Sequence, residues 1–114
     1  MTANPIDWPG KTGKVYRYWF LTSIAAEDIV AKGGNYMFVK RLANGNWLPV
    51  YIGEAVNLKG RIPNHDRLAE ARRLGATHVM AHTTPTGERV RLAEERDLIE
   101  YWNPPLNVQH RQVS

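Results

Sequence analysis

The chain has no cysteine among its 114 residues. Disulfides, thiolate zinc sites and cysteine nucleophiles are therefore excluded. It also has no long apolar run: no window approaches the length of a membrane-spanning helix. The first fifteen residues contain Pro5, Asp7 and Pro9 but no apolar core, so a signal peptide is not expected and a cytoplasmic location is. Low-complexity segments and internal repeats are absent. What is there is ordinary globular material, 43% hydrophobic and 23% charged, enough for one domain with one modest core.

Fifteen basic side chains against eleven acidic ones give a net charge of +4. That balance suits a polyanionic partner without requiring one. Between Lys59 and Arg73 five bases face two acids, and between Glu94 and Glu100 four acids face one base. Charge alone reads both clusters as solvated helix faces.

Residues 1–13 read as an arm. Lys14 to Leu21 is dense in aromatic and β-branched residues and predicts a strand. Ser23 is placed to cap a short helix running to Ala31, with Gly33 to end it. Asn35 to Arg41 predicts a second strand, Asn44-Gly45 a turn, and Trp47 to Ile52 the return strand. Tyr36 and Tyr51 then lie on neighbouring antiparallel strands. A first helical turn follows at Leu58 to Arg61, broken by Pro63, which lacks an amide hydrogen. A second piece runs from about His65 to Leu74. Thr77 to Thr83 predicts a strand, and Glu88 to Tyr101 the clearest helix, stopped by Asn103-Pro104-Pro105. The order β-α-β-β-α-α-β-α predicts an α+β fold, a small central antiparallel sheet flanked by helices.

On the last helix, Leu92, Leu98, Ile99 and Trp102 fall on one side at ~100° per residue, and Glu95 projects from the middle of that stripe. Glu94, Asp97 and Glu100 read as surface acids. An acid on a core-facing side is costly unless a cation or hydrogen bonds compensate it. Periodicity fits a functional carboxylate and a rim glutamate paired with an arginine equally well. For Tyr36 and Tyr51, cross-strand aromatic packing is the plainer alternative. His78 and His82 lie ~13 Å apart on a strand, too far to share one ion, and are given to the surface or to nucleic-acid contact. Trp19, Trp47 and Trp102 are given to the core.

Four elements occur in order: Gly34-Asn35-Tyr36 with Tyr51-Ile52-Gly53; Arg61, with His65 four residues on; Glu95 followed by Leu98-Ile99; and Pro104-Pro105-Leu106-Asn107. Together they resemble the GIY-YIG nuclease family over roughly residues 34–108. The resemblance implies a domain at 34–108, preceded by an extension at 1–33 and followed by a tail at 109–114. It implies a DNA endonuclease using one Mg²⁺ or Mn²⁺ on Glu95 and leaving a 5′-phosphate and a 3′-hydroxyl. Arg61 would contact the scissile phosphate, Tyr36 would be the base, and Tyr51 and His65 would assist. Gly34, Gly53 and Asn107 would support the site, and Lys40, Lys59 and Arg67 would contact the nucleic acid. A homodimer or a protein partner would fit a domain without a separate base-reading module. The alternative is a binding module of the same fold with weak or no catalysis. Four features depart from the family pattern: fourteen residues lie between Tyr36 and Tyr51, position 35 is Asn, Glu54 stands where several members carry lysine, and Pro63 interrupts the helix. A carboxylate at Glu54 is expected to disfavour a tyrosine phenolate.

Overall fold

The computed structural model describes residues 4–107. Five strands form one antiparallel sheet: β1 (Ile6–Pro9), β2 (Val15–Phe20), β3 (Gly34–Arg41), β4 (Trp47–Ala55) and β5 (His78–Thr83), in the order β1-β2-β5-β3-β4. The helices are α1 (Leu58–Arg61), α2 (Leu68–Arg73) and α3 (Glu88–Trp102), with 3₁₀ turns at Ala26–Asp28 and Pro105–Asn107. The predicted α+β class with a central antiparallel sheet is the one observed. Val108 and the 109–114 tail lie outside the described residues.

Alternation along β3 divides the core between the two sheet faces. Tyr36 and Phe38 pack with Ile29, Leu58, Ile62 and Leu106 on one face. Met37 and Val39 pack with Trp8, Tyr18, Ile52 and Leu98 of α3 on the other. A register shift between Phe38 and Val39 places Tyr51 opposite Phe38 and Gly53 opposite Tyr36. β3 is flanked on both sides, so its run from Gly34 to Val39 is fully buried.

The segment ahead of Gly34 differs from its sequence reading. Residues 6–9 are not a free arm; they form β1 and pair with β2. β2 in turn joins β5 through Trp19↔Ala81 and Phe20↔Met80. The helix expected after Ser23 is only the 3₁₀ turn, because the Ser23 hydroxyl accepts from the Ala25 amide and donates to Asp28, closing the turn locally. The helix expected from His65 begins at Leu68, since residues 62–67 form turns around Pro63.

α3 departs most from its periodic reading. Its buried side carries Arg91, Glu94, Asp97 and Leu98, whereas Leu92 is exposed. Glu94 and Asp97 are therefore not surface acids. Asp97 accepts from the Thr12 amide and hydroxyl and from the Tyr16 hydroxyl at 2.7–2.9 Å. Glu94 accepts from the Tyr18 hydroxyl at 2.7 Å and pairs with His82 at 2.5 Å. The partners that make burial tolerable lie about eighty residues earlier in the chain. Both acids bind the β1–β2 hairpin to α3. His82 is thus an internal partner of Glu94, while His78 stays exposed. Trp19 is also corrected: it is 53% exposed, and the fully buried tryptophan is Trp8.

Candidate active site

The site gathers on the Tyr36 face, where β3 and β4 run beside α1. Gly34 lies so close to the His82 carbonyl oxygen and the Leu58 side chain that a Cβ would collide with both. Gly53 serves its neighbour: a Cβ there would fall 2.5 Å from Cζ and from the hydroxyl of Tyr36. The bare backbone at Gly53 lets the Tyr36 ring lie across β4. Asn35, which departs from the aliphatic pattern, is fully buried on the other face. Its side-chain amide donates to the Arg91 carbonyl at 2.9 Å and so fixes the start of α3 against β3.

The Tyr36 hydroxyl meets His65 Nε2 at 2.7 Å. His65 Nδ1 accepts the Arg67 backbone N–H at 3.0 Å, so the ring proton sits on Nε2 and is donated to the tyrosine oxygen. Burial first, and then the Arg61 cation, push the His65 imidazole down to about 4, so it is neutral at pH 7. The Arg61 guanidinium faces the same Tyr36 oxygen and also donates to Asp66 at 3.2 Å. Pro63 therefore does not separate Arg61 from His65: the turn it induces returns His65 to the residue that Arg61 faces. The Tyr36 side chain is 1% exposed, and burial raises its pKa well above the usual phenol value despite the arginine.

Tyr51 is half-buried, with its ring centroid 6.2 Å from that of Tyr36. It lines a cavity of about 430 Å³ together with Glu95, Asn107 and the outer face of α3. Asn107 holds the outer edge of β4 as a neighbouring strand would: Ile52 N–H donates to its Oδ1 at 2.9 Å, and its Nδ2 donates to the Ile52 carbonyl at 3.0 Å. Tyr51 is fixed in consequence. Burial raises its hydroxyl, and the Glu95 charge raises it further.

Glu95 stands at the margin of the buried side of α3 rather than at its middle. Burial and the charge of Glu54 push its carboxyl up to about 7. Glu54 itself pairs with the buried Arg91 at 3.1 Å. The effect expected from Glu54 on a tyrosine thus falls instead on Glu95. Among the described residues no group of three or more His, Cys, Asp and Glu side chains converges. Glu95 would hold a cation with water and substrate oxygens as the other ligands, the pattern of Mg²⁺. A half-buried carboxylate whose charge is opposed by its surroundings, beside an open cavity, fits that role.

The remaining residues are dispersed. Lys59 is exposed on α1, next to the site. Lys40 lies four residues along β3 from Tyr36, ~13 Å away, with its stem over Gly75. Arg67 is bound within the fold, to Glu70 at 3.2 Å and the Leu106 carbonyl at 3.4 Å.

No protein-family model matches the sequence, and no curated relative matches it. Among solved structures, the chain is similar to the GIY-YIG N-terminal endonuclease domain of UvrC from Thermotoga maritima, a point mutant bound to its catalytic divalent cation. The identity is 23%, the similarity covers 68% of this chain and 83% of that one, and the TM-score is 0.54. The fold is that of a GIY-YIG domain.

Proposed function

We propose that this protein is a divalent-metal-dependent DNA endonuclease. The observation that carries the reading is the convergence on one sheet edge of Arg61 and His65 at the Tyr36 oxygen, with Tyr51 and Glu95 sharing the adjoining cavity. The solved neighbour is an endonuclease domain with a catalytic divalent cation, which supports a nucleic-acid substrate and a metal for this chain also. Bound at Glu95, Mg²⁺ or Mn²⁺ would supply Lewis acidity toward a phosphate oxygen and a lowered water pKa.

The protein's own groups divide the rest. Arg61 places a fixed cation where charge develops on the phosphorane oxygens. Tyr36 receives a hydrogen bond from neutral His65 and faces Arg61, so its oxygen is engaged on two sides. It orients Arg61 toward the phosphate. Tyr51 faces the cavity and is the phenol that meets the attacking water. The strongest electrostatic opposition to its ionisation is the Glu95 charge, so neutralising that charge prepares Tyr51 to accept a proton. Its opening to the cavity and its coupling to Glu95 favour Tyr51 over Tyr36 as the base in this reading. Lys59 and Lys40 would contact flanking phosphates, Lys59 at closest range.

The test is incubation with labelled single-stranded, duplex and branched DNA, with and without Mg²⁺, beside Glu95→Gln. Metal-dependent cleavage that Glu95→Gln abolishes is expected. Binding without cleavage under every metal condition would leave a nucleic-acid-binding module of the same fold.

A further inference from the structure

Trp19 is the exposed one of four tryptophans. A large indole left in water on a packed sheet calls for a reason. The strand register gives its position. Trp19 pairs with Ala81, Ala81 with Tyr36 and Tyr36 with Gly53, so one row crosses four strands with all side chains on the same face. Trp19 thus shares the face of the candidate active site, two strand spacings (~10 Å) from Tyr36 at the backbone.

Trp19 lines a cavity of about 480 Å³ together with Ile29, Val30, Leu58 and Ala81. Val30 is itself 52% exposed. A cavity lined by an indole and aliphatic side chains accepts a flat, uncharged ring. The surrounding charge indicates what carries that ring. Leu58 opens α1, and its amide donates to the Lys32 carbonyl at 2.9 Å, which ties Lys32 to the start of α1 beside the cavity-lining Leu58. Lys59 follows Leu58, and Arg61 closes the same single helical turn, ~5 Å along its axis. Lys32 and Lys59 are both exposed. Cations therefore run from the cavity to the residue placed on the scissile phosphate. Arg17 beside Trp19 is held by Asp7 at 2.7 Å and adds no free charge. The acid at the rim, Asp28, is bonded to Ser23 at 2.6 Å and suits the amino edge of a base.

We propose that the Trp19 cavity is a nucleotide-binding subsite that stacks one unpaired base of a DNA strand, whose backbone passes Lys32 and Lys59 to reach Arg61. The inference rests on the endonuclease reading for its ligand and deepens it: the substrate is single-stranded next to the cut. A duplex keeps its bases stacked on one another and offers no free ring to Trp19, whereas an unpaired strand does.

The experiment measures equilibrium binding of a short fluorescein-labelled single strand, and of the blunt duplex of the same sequence, in EDTA. The proteins are wild type, Trp19→Ala and Trp19→Phe. Trp19→Ala is expected to weaken single-strand binding by about 10- to 100-fold and duplex binding by less than about 3-fold, while Trp19→Phe keeps most of the affinity. Equal loss on both DNAs, or no loss, overturns the subsite. A wild-type dimer by sedimentation that Trp19→Ala dissociates, with DNA binding unchanged, also overturns it and assigns the patch to self-association. Cleavage by wild type with Mg²⁺ is scored separately. If nothing is cleaved but single-strand binding depends on Trp19, the endonuclease reading fails and the subsite stands.

Discussion

The ring of Tyr36 crosses β4 directly over Gly53, whose absent side chain leaves the space that the tyrosine hydroxyl occupies. The glycine is thus a spacing requirement between strands rather than a turn residue. Gly53→Ala is expected to drive Tyr36 off its contact with His65, to cost about 1–3 kcal/mol through overpacking, and to remove most activity. A melting curve and a cleavage assay check both effects, and unchanged activity would show that the Tyr36 placement is not needed.

That pairing was legible in the sequence only as a motif. Strands β2 to β5 and the extent of helix α3 follow from aromatic and β-branched density, the Asn-Gly turn and the Asn103-Pro104-Pro105 stop. The group of Tyr36, Tyr51, Arg61, His65 and Glu95 could be named, but not the tautomer of His65, because the Arg67 amide that sets it is a backbone group with no sequence signal. Asp97 and Glu94 were invisible as buried acids for a different reason. Residue type and period describe a helix against a generic core, and here its buried face meets hydroxyls of a distant hairpin. Trp19 shows the converse: a strand with apolar residues on both faces does not reveal which face is left open.

Glu94 and Glu100 have the same charge on the same helix but opposite surroundings. Glu94→Ala leaves the Tyr18 hydroxyl and His82 without their shared acceptor in a buried setting, and a loss of about 3–5 kcal/mol is expected. Glu100→Ala is expected within about 0.5 kcal/mol of wild type. Urea unfolding of both variants measures the difference. A Glu94→Ala protein as stable as Glu100→Ala would remove Glu94 from the core.

His65 gives the fold an acid sensitivity with a defined window. Its folded pKa is about 4, below the unfolded value near 6.5, because burial and Arg61 oppose the imidazolium. The unfolded chain therefore binds the proton first. Stability is fully present above pH 6.5 and falls as the pH drops toward 4, with a limiting slope of ~1.4 kcal/mol per pH unit. His65→Gln lacks this titration. The wild-type-minus-variant stability difference should slope between pH 6.5 and 4 and flatten below. A flat difference throughout that window would mean that the imidazole is not buried as a neutral group.

Glu95 titrates in the opposite sense, and this separates its cost to the fold from its use. Burial and Glu54 raise its carboxyl to about 7 from an ordinary value near 4.5. The folded protein therefore keeps a proton that the unfolded chain releases between those values. The stability from the protonated acid is complete below pH 4.5 and is lost as the pH rises through 7. Glu95→Gln, which is isosteric and neutral, should melt higher than wild type at pH 8 and equal to it near pH 4.5. A bound cation favours the ionised form, so Mg²⁺ should raise the wild-type melting temperature and release a proton at pH 6.5, and should do neither in Glu95→Gln. Cleavage by the variant should fall by ~10²-fold or more, since it loses the carboxylate proposed to hold the metal. Tyr51→Phe provides the control on the same cavity. It should leave the Mg²⁺-induced shift in melting intact while lowering the single-turnover rate by ~10²–10⁴-fold and removing its alkaline rise. Mg²⁺ stabilisation that survives in Glu95→Gln would place the metal elsewhere, and an unchanged rate in Tyr51→Phe would return the base to another group.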